Sequence, residues 1–246
     1  MAYRSWLKDV RRLDDLSKYC HFFPNNHREW DREWKLEMNL AEDIWSAPIA
    51  VEPAMERYFR GALHDGHVLG LSRSKDQIEF SISNMELEMF VRDYDGETGI
   101  ERDTGHSPVR LRFEGVNYAN AVRPDPDGWL KWDDWTNWQS DADAFAWCWF
   151  HQQDGKTQWI GVFRKYVEGR MKQSGDLFVL IDCESVSAWP ESERALRKRI
   201  GDECYDAWLY VNSLPPDEVW LTMGHLRRYL DAKGIPRRHI PHQSER

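Results

Sequence analysis

An α+β protein, with a central antiparallel β-sheet of six or seven strands between N-terminal and C-terminal helices, is the fold class this sequence predicts. Three observations carry the reading. Ile78, Phe80 and Ile82 alternate with Gln77, Glu79 and Ser81, and Val109, Leu111 and Phe113 alternate with Arg110, Arg112 and Glu114, the period-two pattern of half-buried strands. Ala144 to Phe150, Gln158 to Arg164 and Asp176 to Cys183 are apolar runs of strand length. Before and after this region, apolar residues recur at three- and four-residue spacing, as on one face of a helix.

Taken in chain order, residues 1–60 form a helical flank. Trp30, Trp34, Met38, Ala41 and Trp45 make an apolar stripe, with Asn25 or Asn26 as the cap after Pro24. Pro48 and Pro53 interrupt the chain before a short helix through Met55, Tyr58 and Phe59. Residues 61–184 form the β-rich core. Val68 to Leu71, Asp76 to Ile82 and Glu86 to Val91 are expected as three adjacent antiparallel strands, with the polar stretch Ser72 to Asp76 as their first turn. Residues 93–107 read as a polar loop. Asp154-Gly155 supplies the positive-φ pair of a hairpin between two later strands.

Residues 185–246 return to helix. One helix opens at Pro190 to Glu193 and buries Leu196, Ile200, Cys204 and Trp208. A second opens at Pro215 to Glu218, buries Val219, Met223, Leu226 and Leu230, and stops at Gly234 before a short basic tail. With no repeat and no long linker, a single α+β domain over residues 1–246 is expected.

The charge is uneven. The chain of 246 residues has a net charge of −9, and residues 61–184 hold 22 acidic against 13 basic residues, so the excess sits on the core. That balance disfavours nucleic acid and anionic membranes as partners and suits a basic protein partner or a cation. No run of about 18 apolar residues is present, so no membrane span is predicted. The N-terminus lacks the apolar stretch of a signal peptide, and Cys20, Cys148, Cys183 and Cys204 form no C-x-x-C pair, which makes the cytoplasm the expected compartment. G-x-S-x-G, a phosphate-cradling glycine loop and H-E-x-x-H are all missing. No cofactor is expected, and oligomeric state is left open.

Two groups of residues carry possible chemistry. His64, Asp65 and His67 offer imidazole and carboxylate ligands, and on a turn both histidines can face one metal ion that activates water for hydrolysis. The structural alternative is a turn at Asp65-Gly66 in which the carboxylate bonds local backbone. The other group is a segment in which Trp129, Trp132, Trp135 and Trp138 fall at strict three-residue intervals among Asp133, Asp134 and other aspartates. Exposed, these rings anchor a protein partner or stack on sugars. Buried, they pin a loop onto the core. Trp129, Trp132, Asp133, Asp134, Trp135 and Trp138 are therefore the candidate binding residues.

Ala62-Leu63-His64-Asp65-Gly66-His67-Val68, followed by alternating strands and then Val109 to Val116, resembles a group of uncharacterised bacterial proteins in which a hydrophobic-His-Asp step opens a small β-rich domain. Some members of that group are immunity-like proteins beside polymorphic toxins. The resemblance spans residues 61–116 and implies a bacterial, intracellular, non-enzymatic protein. The leading expectation is a binding protein whose acidic, Trp-rich face meets a basic protein partner.

Overall fold

The computed structural model describes residues 4–16, 51, 53–102, 105–125, 127–133, 135, 143–166, 173–214 and 222–238. The N-terminal Trp stripe at 30–45 and the helix opening at 215–218 lie outside these residues. The described chain divides into two compact units, residues 1–83 with 109–189 and residues 84–108 with 190–246.

The first unit is built on a sheet of nine strands: β1 (Gly66–Arg73), β2 (Gln77–Ser83), β3 (Pro108–Glu114), β4 (Tyr118–Pro124), β5 (Leu130–Trp132), β6 (Ala144–Gln153), β7 (Lys156–Tyr166), β8 (Gln173–Cys183) and β9 (Ser185–Pro190). Their order across the sheet is β5-β4-β8-β7-β6-β1-β2-β3-β9. Two tight hairpins behave as their sequences dictate. β1 and β2 pair antiparallel, with Leu71 opposite Phe80. β6 and β7 pair antiparallel around Asp154 (φ 50°) and Gly155 (φ 73°), the positive-φ turn expected there.

The central strands are buried on both faces. Trp159 and Phe163 of β7, with Leu177, Val179 and Ile181 of β8, enter one core, whereas Ile160, Val162, Phe178 and Leu180 enter a second on the opposite face. Continuous apolar runs, rather than alternation, follow from that double burial. In β6 the pairing shifts between Phe145 and Trp147. This irregularity lets Phe145 and Cys148 share the first core while Ala146 and Trp149 share the second.

The sheet is strongly curled. Phe113 of β3 lies 4.7 Å from Trp159 of β7, and Phe80 of β2 lies 5.3 Å from Phe163. In a flat sheet β3 and β7 would stand four strand spacings apart, about 19 Å. Curling thus closes an aromatic core of Phe80, Phe113, Phe145, Trp159 and Phe163 inside the strands. The second core is covered by an N-terminal strap, a 3-10 turn at Trp6–Asp9 and a one-turn helix α1 (Leu13–Leu16) that bury Leu7, Val10 and Leu16. Helix α2 (Pro53–Arg57) runs into a π-helical turn at Tyr58–Ala62, which adds Phe59 to the first core.

The second unit is helical. α3 (Met85–Thr98), α4 (Glu193–Ile200), α5 (Asp202–Asn212) and α6 (Thr222–Lys233) bury Leu87, Phe90, Tyr94, Ile200, Trp208, Leu226 and their neighbours together. Four expectations are corrected here. The run Glu86 to Val91 is helix, not strand: Asn84 caps it by accepting from the Leu87 N–H at 3.2 Å, and Leu87, Phe90, Val91 and Tyr94 fall on one helical face. Much of the polar stretch after residue 93 continues that helix until Gly99, at φ 71°, ends it. The helix expected to run unbroken from Glu193 to Trp208 is two, parted at Gly201, whose φ of 84° and ψ of 152° are not helical. A sheet of six or seven strands becomes nine, because β4, β5 and β9 carry only weak strand signals.

Candidate functional site

The Trp-rich segment is split by the structure. β4 and β5 form a hairpin at one end of the sheet, with Val122 opposite Trp132 and Pro124 opposite Leu130. Asp125 organises its turn. One carboxylate oxygen accepts from the Asp127 and Trp129 N–H groups at 3.0 and 2.9 Å, and the other lies 3.1 Å from the Lys131 ammonium. Bonding to Lys131 first, and then to the Trp129 backbone, holds the Asp125 carboxyl below the usual carboxylate range. Asp133 is paired with Arg123 at 2.7 Å.

Beyond this turn the aromatic rings diverge. Trp132 is 67% exposed and Trp129 50% exposed, whereas Trp135 is 5% exposed and lies 5.9 Å from Phe80 in the first core. Trp135 is thus a packing residue, so changing Trp132, Asp133, Asp134 and Trp135 together would damage the fold. Asp134 and Trp138 lie outside the described residues.

Residues the sequence did not single out complete the hairpin surface. The N-terminal strap crosses it: Leu130 N–H donates to the Arg11 carbonyl at 2.8 Å, and Arg12 faces Trp129 in an antiparallel bridge. The Arg12 guanidinium sits 5.0 Å above the Trp129 ring and donates to the Asp127 carbonyl at 3.3 Å. No spacing in the sequence pairs residue 12 with residue 129. The opposite end strand repeats the theme, with the half-exposed ring of Trp189 lying 5.8 Å from the Arg112 guanidinium.

The His-Asp step sits where the π-helical turn enters β1. Asp65 takes φ 59°, and its N–H donates to the Phe145 carbonyl at 2.8 Å. A Cβ on Gly66 would collide with the Ser83 carbonyl oxygen, so only glycine lets β1 approach β2 there. His64 Nδ1 lies 2.5 Å from the Ala146 carbonyl, which can only accept, so the proton is on Nδ1. Its Nε2 is 3.6 Å from one Asp65 oxygen, and Arg164 bonds the other at 2.5 Å. The His67 N–H donates to Ser83 Oγ at 2.8 Å. The step therefore ties the π-helical turn to β2, β6 and β7. Among the described residues, no group of three or more His, Cys, Asp or Glu is placed to hold a metal ion.

A buried polar row was also invisible in the sequence. Asp182 and Gln158, both fully buried, bond at 3.1 Å; Asp182 also accepts from Asn117 at 3.2 Å, and Gln158 from the Trp6 indole N–H at 3.2 Å. This row fastens the strap to the sheet.

Burial pushes the Cys183 and Cys204 thiols up to about 12, which removes them as nucleophiles at neutral pH. Among the described residues, no helix is long and apolar enough to cross a membrane. No protein-family model matches this chain, and no curated protein does.

Proposed function

We propose that this is a non-enzymatic binding protein whose contact surface is the β4–β5 hairpin and whose partner is a basic protein, with an immunity-like role as the setting the family resemblance implies. One observation carries the reading: Trp132, on the terminal strand of the sheet, is 67% exposed beside a second half-exposed Trp. Aromatic rings held on a rigid hairpin are the side chains that most often dominate protein interfaces. Because Asp125 and Asp133 are each paired with a cation of this chain, the ring supplies the affinity and the net charge of −9 guides approach.

The test places a photo-crosslinking residue at position 132, identifies the captured protein and titrates it against wild type and Trp132→Ala. A hot-spot ring costs about 2 kcal/mol or more, roughly thirtyfold in Kd. Unchanged affinity for Trp132→Ala would remove the hairpin from the interface.

One observation favours a second reading, the metal-dependent hydrolase. An imidazole and a carboxylate, two metal-ligating types, stand side by side at this turn, with His64 Nε2 3.6 Å from one Asp65 oxygen. Elemental analysis of wild type and the His64→Ala, His67→Ala double variant tests it. Metal-free wild type retires the idea. A sugar-stacking surface of four rings is left without Trp135, which is in the core.

A further inference from the structure

We infer that the edge of β5 beside Trp129 is a docking site for an extended, arginine-bearing segment of the basic partner, and that Arg11 and Arg12 of this chain, at the end of the N-terminal strap, occupy it and can be displaced. The inference rests on the hairpin being the contact surface. β5 ends the sheet, so on its outer side no strand of the sheet pairs with it. A short basic segment, Lys8-Asp9-Val10-Arg11-Arg12, crosses the second core with Val10 buried there, and its last two residues reach the β5 end of the sheet. Its Arg11 carbonyl takes the Leu130 N–H at 2.8 Å, and its Lys8 ammonium lies 5.9 Å from the Tyr118 ring of β4. Arg12 places its guanidinium 5.0 Å from the Trp129 ring and donates to the Asp127 carbonyl at 3.3 Å.

These are the parts of peptide recognition by strand addition: a main-chain bond at the edge, and a side-chain site that sets specificity. The site selects guanidinium over ammonium. A planar fork can lie on the indole while its edge donates to a carbonyl, which a tetrahedral ammonium cannot do.

The strap is fastened unevenly. Leu7 and Val10 are buried in the second core and Trp6 bonds Gln158, but Arg11 and Arg12 are exposed. The N–H groups of Arg11 and Arg12 both donate to Asp15, at 2.9 Å each, and so face away from the edge. An exposed cation–π contact is weak, so the arginine can be exchanged while Leu7 and Val10 stay seated. The net charge of −9 favours an incoming segment that is basic.

The test uses full-length wild type, Arg12→Ala, Arg12→Gln and Trp129→Ala. The probes are a synthetic peptide of residues 8–12 and the same peptide with citrulline in place of its final arginine, titrated by tryptophan fluorescence. If the strap holds the site closed about nine-tenths of the time, removing its arginine tightens apparent affinity about tenfold. Arg12→Ala and Arg12→Gln should both bind the arginine peptide about tenfold more tightly than wild type. The citrulline peptide should bind poorly, and Trp129→Ala should bind neither.

Equal affinity of wild type and both Arg12 variants, equal affinity for the two peptides, or no binding by any of them would each overturn the strap. Partner capture that still depends on Trp132 would then leave the hairpin reading standing. Loss of that dependence as well would remove both.

Discussion

Replacing Trp135 and Trp132 by alanine, three positions apart in one segment, separates a core side chain from a surface one. Trp135 is 5% exposed and packs against Phe80, with the Arg73 guanidinium 5.6 Å from its ring. Truncating a buried tryptophan costs about 3–5 kcal/mol, from lost transfer energy and the cavity left behind. Trp132 is 67% exposed, and an exposed substitution of this kind usually stays within about 0.5 kcal/mol. Urea unfolding followed by far-ultraviolet circular dichroism avoids relying on the tryptophan signal that the variants alter. At a slope of about 3 kcal/mol per molar, the Trp135→Ala midpoint should fall by about 1–2 M and the Trp132→Ala midpoint by less than about 0.2 M. Equal shifts for the two variants would refute the division of this segment into core and surface.

Gly66→Ala should destabilise by about 1–3 kcal/mol through its clash with the Ser83 carbonyl, read as a lower urea midpoint; a neutral result would mean β1 and β2 part without cost. Cys148, Cys183 and Cys204 should resist iodoacetamide at pH 8 and react fully in urea, because all three are buried and the Cys183 and Cys204 thiols are pushed up to about 12; rapid native labelling would contradict that burial. The Asp125 carboxyl is lowered in the folded state, so its bonds to Lys131 and to the Trp129 N–H support the hairpin above the ordinary carboxylate pKa and are lost as pH falls through the lowered one. The Trp129 amide resonance should therefore shift below about pH 4, and Asp125→Asn should abolish that step; a transition above about pH 5 would contradict the assignment.

Where one physical pattern dominated a segment, the sequence was legible. Alternation over 77–82 and 109–113 gave β2 and β3, and the apolar runs at 144–150, 158–164 and 176–183 gave β6, β7 and β8. Residues 86–91 satisfy two periods at once: Leu87, Met89 and Val91 alternate, while Leu87, Phe90, Val91 and Tyr94 have helical spacing. Asn84 as a cap breaks the tie, because its side chain satisfies an N–H that a strand would have paired elsewhere. β4, β5 and β9 were missed for lack of bulk: Tyr118–Pro124 carries two alanines and an asparagine, β5 is three residues long, and β9 buries only Val186 and Ala188.

The candidate site was half legible. Regular Trp spacing located the hairpin region, yet one period put Trp129, Trp132 and Trp135 on a common footing that the structure does not keep. The His-Asp-Gly step is a turn at the start of a strand, as its Asp-Gly pair suggests, but the Asp65 carboxylate bonds Arg164 rather than the local backbone expected, and the partners Ala146 and Arg164 lie far along the chain.

By itself, the sequence determined the α+β class, the paired strands of the two tight hairpins and the acidic bias of residues 61–184. Those depend on local periodicity, turn chemistry and composition, which neighbouring residues carry among themselves. Only the tertiary structure decided that the sheet curls until β3 meets β7, that Trp135 is core while Trp132 is surface, and that Arg12 rests on Trp129. Burial and partnership arise between residues tens of positions apart, once hydrophobic collapse has chosen which faces exclude water.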